Sequence, residues 1–216
     1  MKLRYFGHSC FQLVSDNGVR IVTDPYTRVG YELRNDLSAD VVTVSHGHFD
    51  HAFVQGVGDD PFVLDGRGNV FRFEDVEITS FETFHDEKQG ALRGKNQIFQ
   101  FTVDGVKLCH FGDLGEPCRA NILEKIGKVD VLMLPVGGTY TIDARQAKEY
   151  VDKLGAKLVV PMHFKPDDGA LDITPVDEFL ALCDEDEIEK IDGETEITIE
   201  TLSKTPARVL CFERVK

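Results

Sequence analysis

The fold of this chain is decided by the segment 40–51, which reads DVVTVSHGHFDH. Its apolar first half is typical of a buried strand, and three histidines and an aspartate follow where that strand ends. Neutral imidazole and carboxylate groups are ligands for zinc or iron. Because alternate residues of an extended segment point the same way, His46 and His48 can share one metal ion. Asp50 and His51 lie past the turn and can reach a second ion.

Length and composition favour one domain spanning residues 1–216, since 42% of the residues are hydrophobic and no linker-like stretch interrupts them. Apolar runs stay well short of the roughly 18 residues that suggest a membrane span. The N-terminal apolar stretch is broken by His8, Ser9 and Gln12, so it does not resemble a signal peptide. The five cysteines show no CxxC spacing, which favours reduced thiols and a cytoplasmic location.

The charge balance excludes broad classes of partner. There are 24 basic and 38 acidic residues, a net charge of −14, which disfavours nucleic acid and anionic membranes. The segment 183–196 contains eight acids and one lysine, a net of −7, and is predicted to be a solvated helix end and loop. A small molecule is therefore the expected partner, and assembly into a homo-oligomer stays open.

The order of predicted elements indicates an α/β protein with two sheets covered by helices. Hairpin turns at Asp16-Asn17-Gly18 and Asp104-Gly105 separate strands in the first half, and strand–helix–strand units make up the second. The predicted helices are 119–126, 143–154 and 175–182. The predicted strands are 3–14, 19–23, 40–45, 62–64, 70–73, 76–84, 97–103, 106–111, 129–134, 156–162, 197–202 and 209–212.

The hexapeptide 46–51 resembles the signature of the metallo-β-lactamase-fold hydrolase superfamily. Later motifs agree in order: His85 in ETFHDE, Asp113 in HFGDLG and His163 in VVPMHF. The resemblance covers nearly the whole chain and implies a four-layer αββα sandwich.

Three further motifs are similar to a compact, stand-alone branch of that superfamily, which includes relatives of the ascorbate-phosphate lactonase. They are Gly7-His8-Ser9, Thr23-Asp24-Pro25 and the segment 134–140, LPVGGTY. Asp24 is open to two interpretations, as a carboxylate that orients a ligand or as a cap of the turn at Pro25.

The resemblance also implies a ligand set for two divalent metal ions, zinc first, with manganese, iron or nickel as alternatives. His46, His48 and His85 would hold one ion, Asp50, His51 and His163 the other, and Asp113 would bridge them. His110 competes with His85 for the third histidine position. His85 is favoured because the corresponding ligand of the family precedes the hairpin of 97–103 and 106–111.

The implied function is hydrolysis by a metal-bridging hydroxide that attacks a small anionic ester, lactone or phosphodiester. By formal counting, two divalent ions, two carboxylates and one hydroxide leave about +1 at the site, which suits such a substrate. Asp50 and His8 are the predicted catalytic residues. The predicted substrate-binding residues are Arg93, Asn96, Thr139, Tyr140 and Lys165. Two alternatives stay open: an iron-dependent redox or oxygen-using enzyme, and a non-catalytic binding module stabilised by metal.

Overall fold

Two β-sheets form the centre of the computed structural model, which describes residues 1–66, 70–204 and 206–215. In spatial order the six strands of the first sheet are β13 (Glu194–Glu196), β1 (Lys2–Gly7), β2 (Cys10–Val14), β3 (Arg20–Thr23), β4 (Val41–Thr43) and β5 (Phe62–Leu64). The eight strands of the second sheet are β12 (Ile188–Asp192), β14 (Arg208–Glu213), β11 (Leu158–Met162), β10 (Val131–Pro135), β9 (Val106–His110), β8 (Lys95–Val103), β7 (Val76–Phe84) and β6 (Phe71–Phe73).

The helical elements are short. The described α-helices are α1 (Ala120–Ile126), α2 (Ala144–Leu154), α3 (Asp177–Leu180) and α4 (Ile199–Lys204), with 3-10 turns at Val54–Gly56 and Glu185–Glu187. Helix α2 begins at a capping box, in which Asp143 accepts from the Gln146 amide and Gln146 bonds back to the Asp143 amide. It packs against β10 and α3. Within the described ranges, no helix is both long and apolar enough to cross a membrane.

Alternation along the first sheet divides its side chains between two cores. Leu13 and Ile21 belong to the large core shared with the second sheet, whereas the neighbouring Val22 and Val42 belong to a smaller cluster. Successive residues of a strand face opposite sides, so the smaller cluster lies on the other face of this sheet. Tyr26, a loop residue, belongs to that cluster, so a loop covers part of this face of the sheet. The α/β sandwich predicted from the sequence is confirmed.

Two of the predicted strands differ from the structure. The single strand predicted for 3–14 is two antiparallel strands, β1 and β2, because the chain reverses at His8 and Ser9. The strand predicted for 197–202 is wrong, since α4 occupies that region and the Thr198 hydroxyl accepts from the Thr201 amide. A side-chain cap of this kind favours a helix start over the β-branched character of the segment.

The acidic segment 183–196 also differs from its prediction as a helix end and loop. It contains β12, parallel to β14 at one edge of the second sheet, and β13, antiparallel to β1 at one edge of the first. Most of its acidic side chains are exposed there. Charged residues are common on such edge strands, because they discourage further pairing.

Strand direction explains where the polar residues gather. In the first sheet β1 and β3 are each antiparallel to β2, and β4 is parallel to β3, so three strands run the same way. In the second sheet β9, β10 and β11 are parallel, and β7 shares their direction because both β7 and β9 are antiparallel to β8. Each set of carboxyl ends therefore meets at one edge of its sheet, where loops can build a site.

Candidate metal centre

The candidate metal centre is built from loops that follow these carboxyl ends. From the first sheet come His8 after β1, Asp24 after β3 and the segment 45–51 after β4. From the second sheet come His85 after β7, Asp113 after β9 and His163 after β11. Ligand atoms of three groups of residues lie within 4.8 Å of one another: His46, His48 and His85; His8, Asp50, His51 and His163; and His46, His51 and Asp113.

The first histidine group lies nearer the surface. The ring centroids of His46 lie 4.6 Å from His48 and 4.7 Å from His85, and those of His48 and His85 are 5.2 Å apart. His85 is buried, whereas His48 is exposed. This group could therefore hold a metal ion that is reached from solvent.

The second group is buried throughout. The His8 Nε2 atom lies 3.3 Å from Asp50 Oδ2, and that oxygen lies 3.8 Å from His51 Nε2. The His8 ring lies 4.2 Å from the ring of His163. Three imidazoles and a carboxylate at this separation form a compact donor set for a second ion.

Asp113 lies between the two groups. Its Oδ2 atom is 3.2 Å from the Nε2 atoms of both His85 and His163, and its Oδ1 atom is 3.1 Å from His51 Nε2. Burial alone would raise the pKa of Asp113, but the charges of His163 and His51 outweigh burial and hold that pKa well below its usual value. Asp113 is thus an anion placed to contact both positions.

The donor set fits divalent metal ions. His46 Nε2 is buried and has no hydrogen-bond partner among the described residues, and the buried His51 Nε2 and Asp113 Oδ1 atoms have only each other, at 3.1 Å. Buried polar atoms without partners are costly, and a cation that accepts their lone pairs removes that cost. Nitrogen and carboxylate donors of this kind suit zinc, manganese or iron. The structure thus brings together all seven predicted ligands, and their binding of metal stays a prediction.

Burial keeps two of the imidazoles neutral. It lowers the pKa of His46 to about 3, and burial with the neighbouring His163 lowers that of His8 to about 4. For His51, burial acts in the same direction, but Asp113 and Asp24 outweigh it and raise the pKa well above the usual value. A metal ion must displace a proton from His51, as is common when metal binds.

Asp24 holds the segment 45–51 in place. Its carboxylate accepts hydrogen bonds from the Ser45 amide at 2.7 Å and the Ser45 hydroxyl at 2.6 Å, and it lies 2.9 Å from His51 Nδ1. A carboxylate on Nδ1 fixes the histidine tautomer and leaves Nε2 directed at the site. Of its two interpretations, the structure therefore favours orientation of a ligand. The role of Ser45 was missed, because serine after a strand carries no distinctive signal.

His110 lies behind the centre and not in it. Its Nε2 atom is 3.0 Å from the Ser9 carbonyl oxygen, to which it donates, and its Nδ1 atom accepts from the Gly112 amide at 3.2 Å. Both ring nitrogens are thus engaged, which leaves no lone pair for a metal. Between the two candidates for the third histidine position, the geometry favours His85.

Asn96 has a different role from the predicted substrate contact. It is fully buried, and its amide nitrogen donates to Thr83 Oγ1 and to the Phe111 carbonyl, each at 2.9 Å. Its Oδ1 atom accepts from the Asp113 amide at 2.8 Å. With its polar atoms committed in this way, Asn96 positions Asp113 and is not available to a substrate.

A tight loop that begins at the predicted ligand His85 carries Arg93. The His85 amide donates to the Gly94 carbonyl at 3.0 Å. The buried Asp86 carboxylate holds it by accepting four backbone amides, from Lys88, Gly90, Leu92 and Arg93, at 2.8 to 3.0 Å. Burial opposes ionisation of Asp86, but these amides outweigh it and lower the pKa.

Arg93 meets two other predicted substrate residues. Its Nη2 atom donates to the Thr139 carbonyl at 3.2 Å, and its guanidinium lies 5.5 Å from the centre of the Tyr140 ring. Thr139 and Tyr140 are exposed and follow β10 at the same edge of the sheet. Lys165 is exposed and lines a narrow recess beside His8. All four residues follow strands whose carboxyl ends carry the centre, and their contact with a substrate stays a prediction.

Comparison with known proteins agrees with this fold and site. A family model described as the beta-lactamase superfamily domain matches residues 2–163. A crystal structure of a candidate Zn-dependent hydrolase of the metallo-β-lactamase superfamily from Thermotoga maritima is 38% identical, with a TM-score of 0.80 over 99% of each chain. The chain therefore belongs to the metallo-β-lactamase superfamily.

Two curated relatives are named UPF0173 metal-dependent hydrolases. The protein from Methanoculleus marisnigri is 30% identical over 186 residues, which cover 76% of this chain and 81% of the relative. The protein from Carboxydothermus hydrogenoformans is 28% identical over 193 residues, which cover 76% and 84%. One fold carries many activities, so the residues of the site, and not the fold, determine the reaction.

Proposed function

We propose that this protein is a hydrolase that uses two divalent metal ions to cleave a small anionic ester, lactone or phosphodiester. One observation carries the proposal: two groups of ligand atoms lie on either side of the buried, ionised Asp113. The names of the UPF0173 relatives support metal-dependent hydrolysis, and that of the Thermotoga maritima protein supports zinc. The cytoplasmic location and the absence of a nucleic-acid partner remain predictions.

The ligands are assigned by their grouping. The first ion would be held by His46, His48 and His85, the second by Asp50, His51 and His163, and Asp113 would contact both. Bound ions of this kind supply Lewis acidity and lower the pKa of water near neutral pH. Two divalent charges exceed the two carboxylates of the set, which favours an anionic substrate.

The residues around the centre would orient the substrate. Arg93 presents a planar cation suited to a carboxylate or phosphate, and its guanidinium lies 5.5 Å from the centre of the Tyr140 ring. Lys165 offers a second cation on the side of His8. Asp50 and His8, the predicted catalytic residues, are joined within the second group at 3.3 Å, so each restricts the orientation of the other.

An activity panel on protein of measured metal content tests the proposal. Zinc- and manganese-loaded samples would be assayed with lactones, phosphodiesters and thioesters, with metal determined by mass spectrometry. Asp113→Ala and His48→Ala should lose metal and activity while keeping the circular dichroism of the wild type. Arg72→Ala, in the exposed β6–β7 hairpin, is the control. Full turnover by metal-free protein would contradict the proposal.

The same samples separate the two alternatives. An iron-dependent redox enzyme would consume oxygen when loaded with iron and would not hydrolyse the panel. A non-catalytic binding module would carry its full metal content and turn over none of the substrates. Hydrolysis by zinc- or manganese-loaded protein without oxygen uptake would leave the proposed function standing alone.

A further inference from the structure

We propose that His8 is itself a ligand of the second metal position, beside Asp50, His51 and His163. Its ring would complete the enclosure of that ion by protein, whereas the first position stays open to solvent. The inference rests on the two-metal site proposed above but not on the reaction that the site performs. The sequence predicts His8 as a catalytic residue and not as a metal ligand. In the structure its ligand atom lies within 4.8 Å of those of Asp50, His51 and His163.

The backbone of His8 is held in a conformation that aims its ring at this position. His8 and His163 have φ angles of 54° and 51°, in the left-handed region that residues other than glycine rarely adopt. The His163 amide donates to the His8 carbonyl at 2.9 Å, and the Tyr5 hydroxyl donates to the same oxygen at 3.2 Å. Such strain is unfavourable and persists only where the surroundings impose it.

The preceding glycine shows that this turn is built for close approach. Gly7 has a φ of 110°, and a Cβ atom there would lie 2.6 Å from the Tyr31 ring. The chain therefore passes tightly under Tyr31 before His8 turns inward. The ring of His8 is left 4.2 Å from that of His163 and 5.0 Å from that of His51.

Burial distinguishes the second position from the first. His8, His51 and His163 are at most 2% exposed, and Asp50 is 9% exposed, whereas His48 of the first group is exposed to solvent. With Asp113, the second position has five protein ligands and the first has four. The second ion would be enclosed by protein, so exchange with solvent would occur more readily at the first position.

The rival explanation is that His8 only donates a hydrogen bond to Asp50, at 3.3 Å. Two substitutions distinguish a hydrogen bond from coordination. His8→Gln keeps a side-chain donor but replaces imidazole by an amide, a much weaker ligand. His8→Asn also removes the imidazole and tolerates the left-handed backbone, since asparagine is enriched there.

Cobalt(II) is the probe. Wild type, His8→Gln and His8→Asn would be titrated with Co²⁺ and followed by native mass spectrometry and visible absorption, with His48→Ala as the variant of the other position. We expect two Co²⁺ ions in the wild type. In both His8 variants the affinity for one ion should fall ~100-fold or more. Substitution of a residue that only hydrogen-bonds a ligand lowers metal affinity roughly 10–100-fold, and loss of a ligand itself should cost at least the upper end of that range. The remaining ion should be unaffected.

The wild type alone provides a test that needs no substitution. Paramagnetically shifted imidazole N–H signals of the Co²⁺-loaded protein should number six if His8 is a ligand and five if it is not. Five signals, or two ions bound by His8→Gln with unchanged affinity, would overturn the inference and leave the two-metal site intact. Fewer than two ions in the wild type would instead overturn the two-metal site, and the inference with it.

Discussion

The backbone amide of Asp113 donates to the side-chain Oδ1 atom of Asn96 at 2.8 Å, which ties the residue between the two metal positions to the start of strand β8. Asn96 of β8 pairs with Thr83 of β7. Thr83 comes two residues before the predicted ligand His85. The buried side-chain amide of Asn96 thus connects β7, which precedes His85, with the loop that carries Asp113.

Asn96→Ala should destabilise the protein and weaken metal binding. The substitution leaves the Asp113 amide and the Phe111 carbonyl without their partner, and each such loss costs about 1–3 kcal/mol in a buried site. Urea denaturation should show a lower free energy of unfolding, and metal affinity should fall roughly 10–100-fold. The exposed Asn35→Ala is the matched control and should stay within about 0.5 kcal/mol of wild type. Wild-type stability and affinity in Asn96→Ala would refute this role.

Asp24→Asn should weaken the second metal position without unfolding the protein. The asparagine keeps the shape of Asp24, but it removes the charge that holds His51 Nδ1–H. We expect a fall in metal affinity of roughly 10–100-fold, measured by competition with a chelator. Asp36→Asn, at an exposed carboxylate paired with Arg34, is the control. Equal affinities for the two variants would show that Asp24 does not orient His51.

Arg93→Ala should raise KM for an anionic substrate about 10-fold or more with little change in kcat. The guanidinium would contact the substrate in both the ground state and the transition state, and losing a charged hydrogen bond costs about 1.5–3 kcal/mol. Arg93→Lys should fall in between, since lysine cannot form a two-pronged contact. Steady-state kinetics with Arg72→Ala as control would measure the effect. A change confined to kcat would contradict a binding role.

Asp40 should contribute a pH-dependent part of the stability. Hydrogen bonds from Arg20, whose Nη2 atom is 2.8 Å from Asp40 Oδ1, lower the pKa of this carboxyl below its unfolded value of about 3.9. The folded state thus binds the proton more weakly, so the stabilisation is complete above pH ~4 and is lost as the pH falls through the lower folded-state pKa.

Asp40→Asn measures this contribution. The pair is partly exposed, so wild type should exceed Asp40→Asn by about 1 kcal/mol or less at pH 7. That difference should shrink as the pH falls below 4, which denaturant titrations across pH 3 to 7 would show. A difference that grew towards low pH would contradict the assignment.

The parts of the site that could be predicted are those whose signal is local. The segment 46–51 concentrates ligand-type residues directly after a buried strand, and the superfamily resemblance ordered His85, Asp113 and His163 behind it. The structure brings these residues into one cluster because the carboxyl ends of their strands, in the two sheets, meet at the same end of the sandwich.

The parts that could not be predicted depend on contacts between distant segments. Asn96 lies in a stretch, RGKN, that resembles a surface loop, and only the pairing of β7 with β8 buries it behind Asp113. The strands in 183–196 form because β14 and β1 offer edges to them, which no local pattern reveals. The backbone bond from His163 to His8 likewise joins residues 155 positions apart.

Each of the two ligand groups draws residues from both sheets. His46 and His48 extend from the first sheet and His85 from the second, while His8, Asp50 and His51 face His163 across the same divide. Metal ions there would act as cross-links between the two halves of the sandwich. The amount of folded protein in a cell would then follow the supply of metal, since protein starved of it would open more often between the sheets and be degraded sooner.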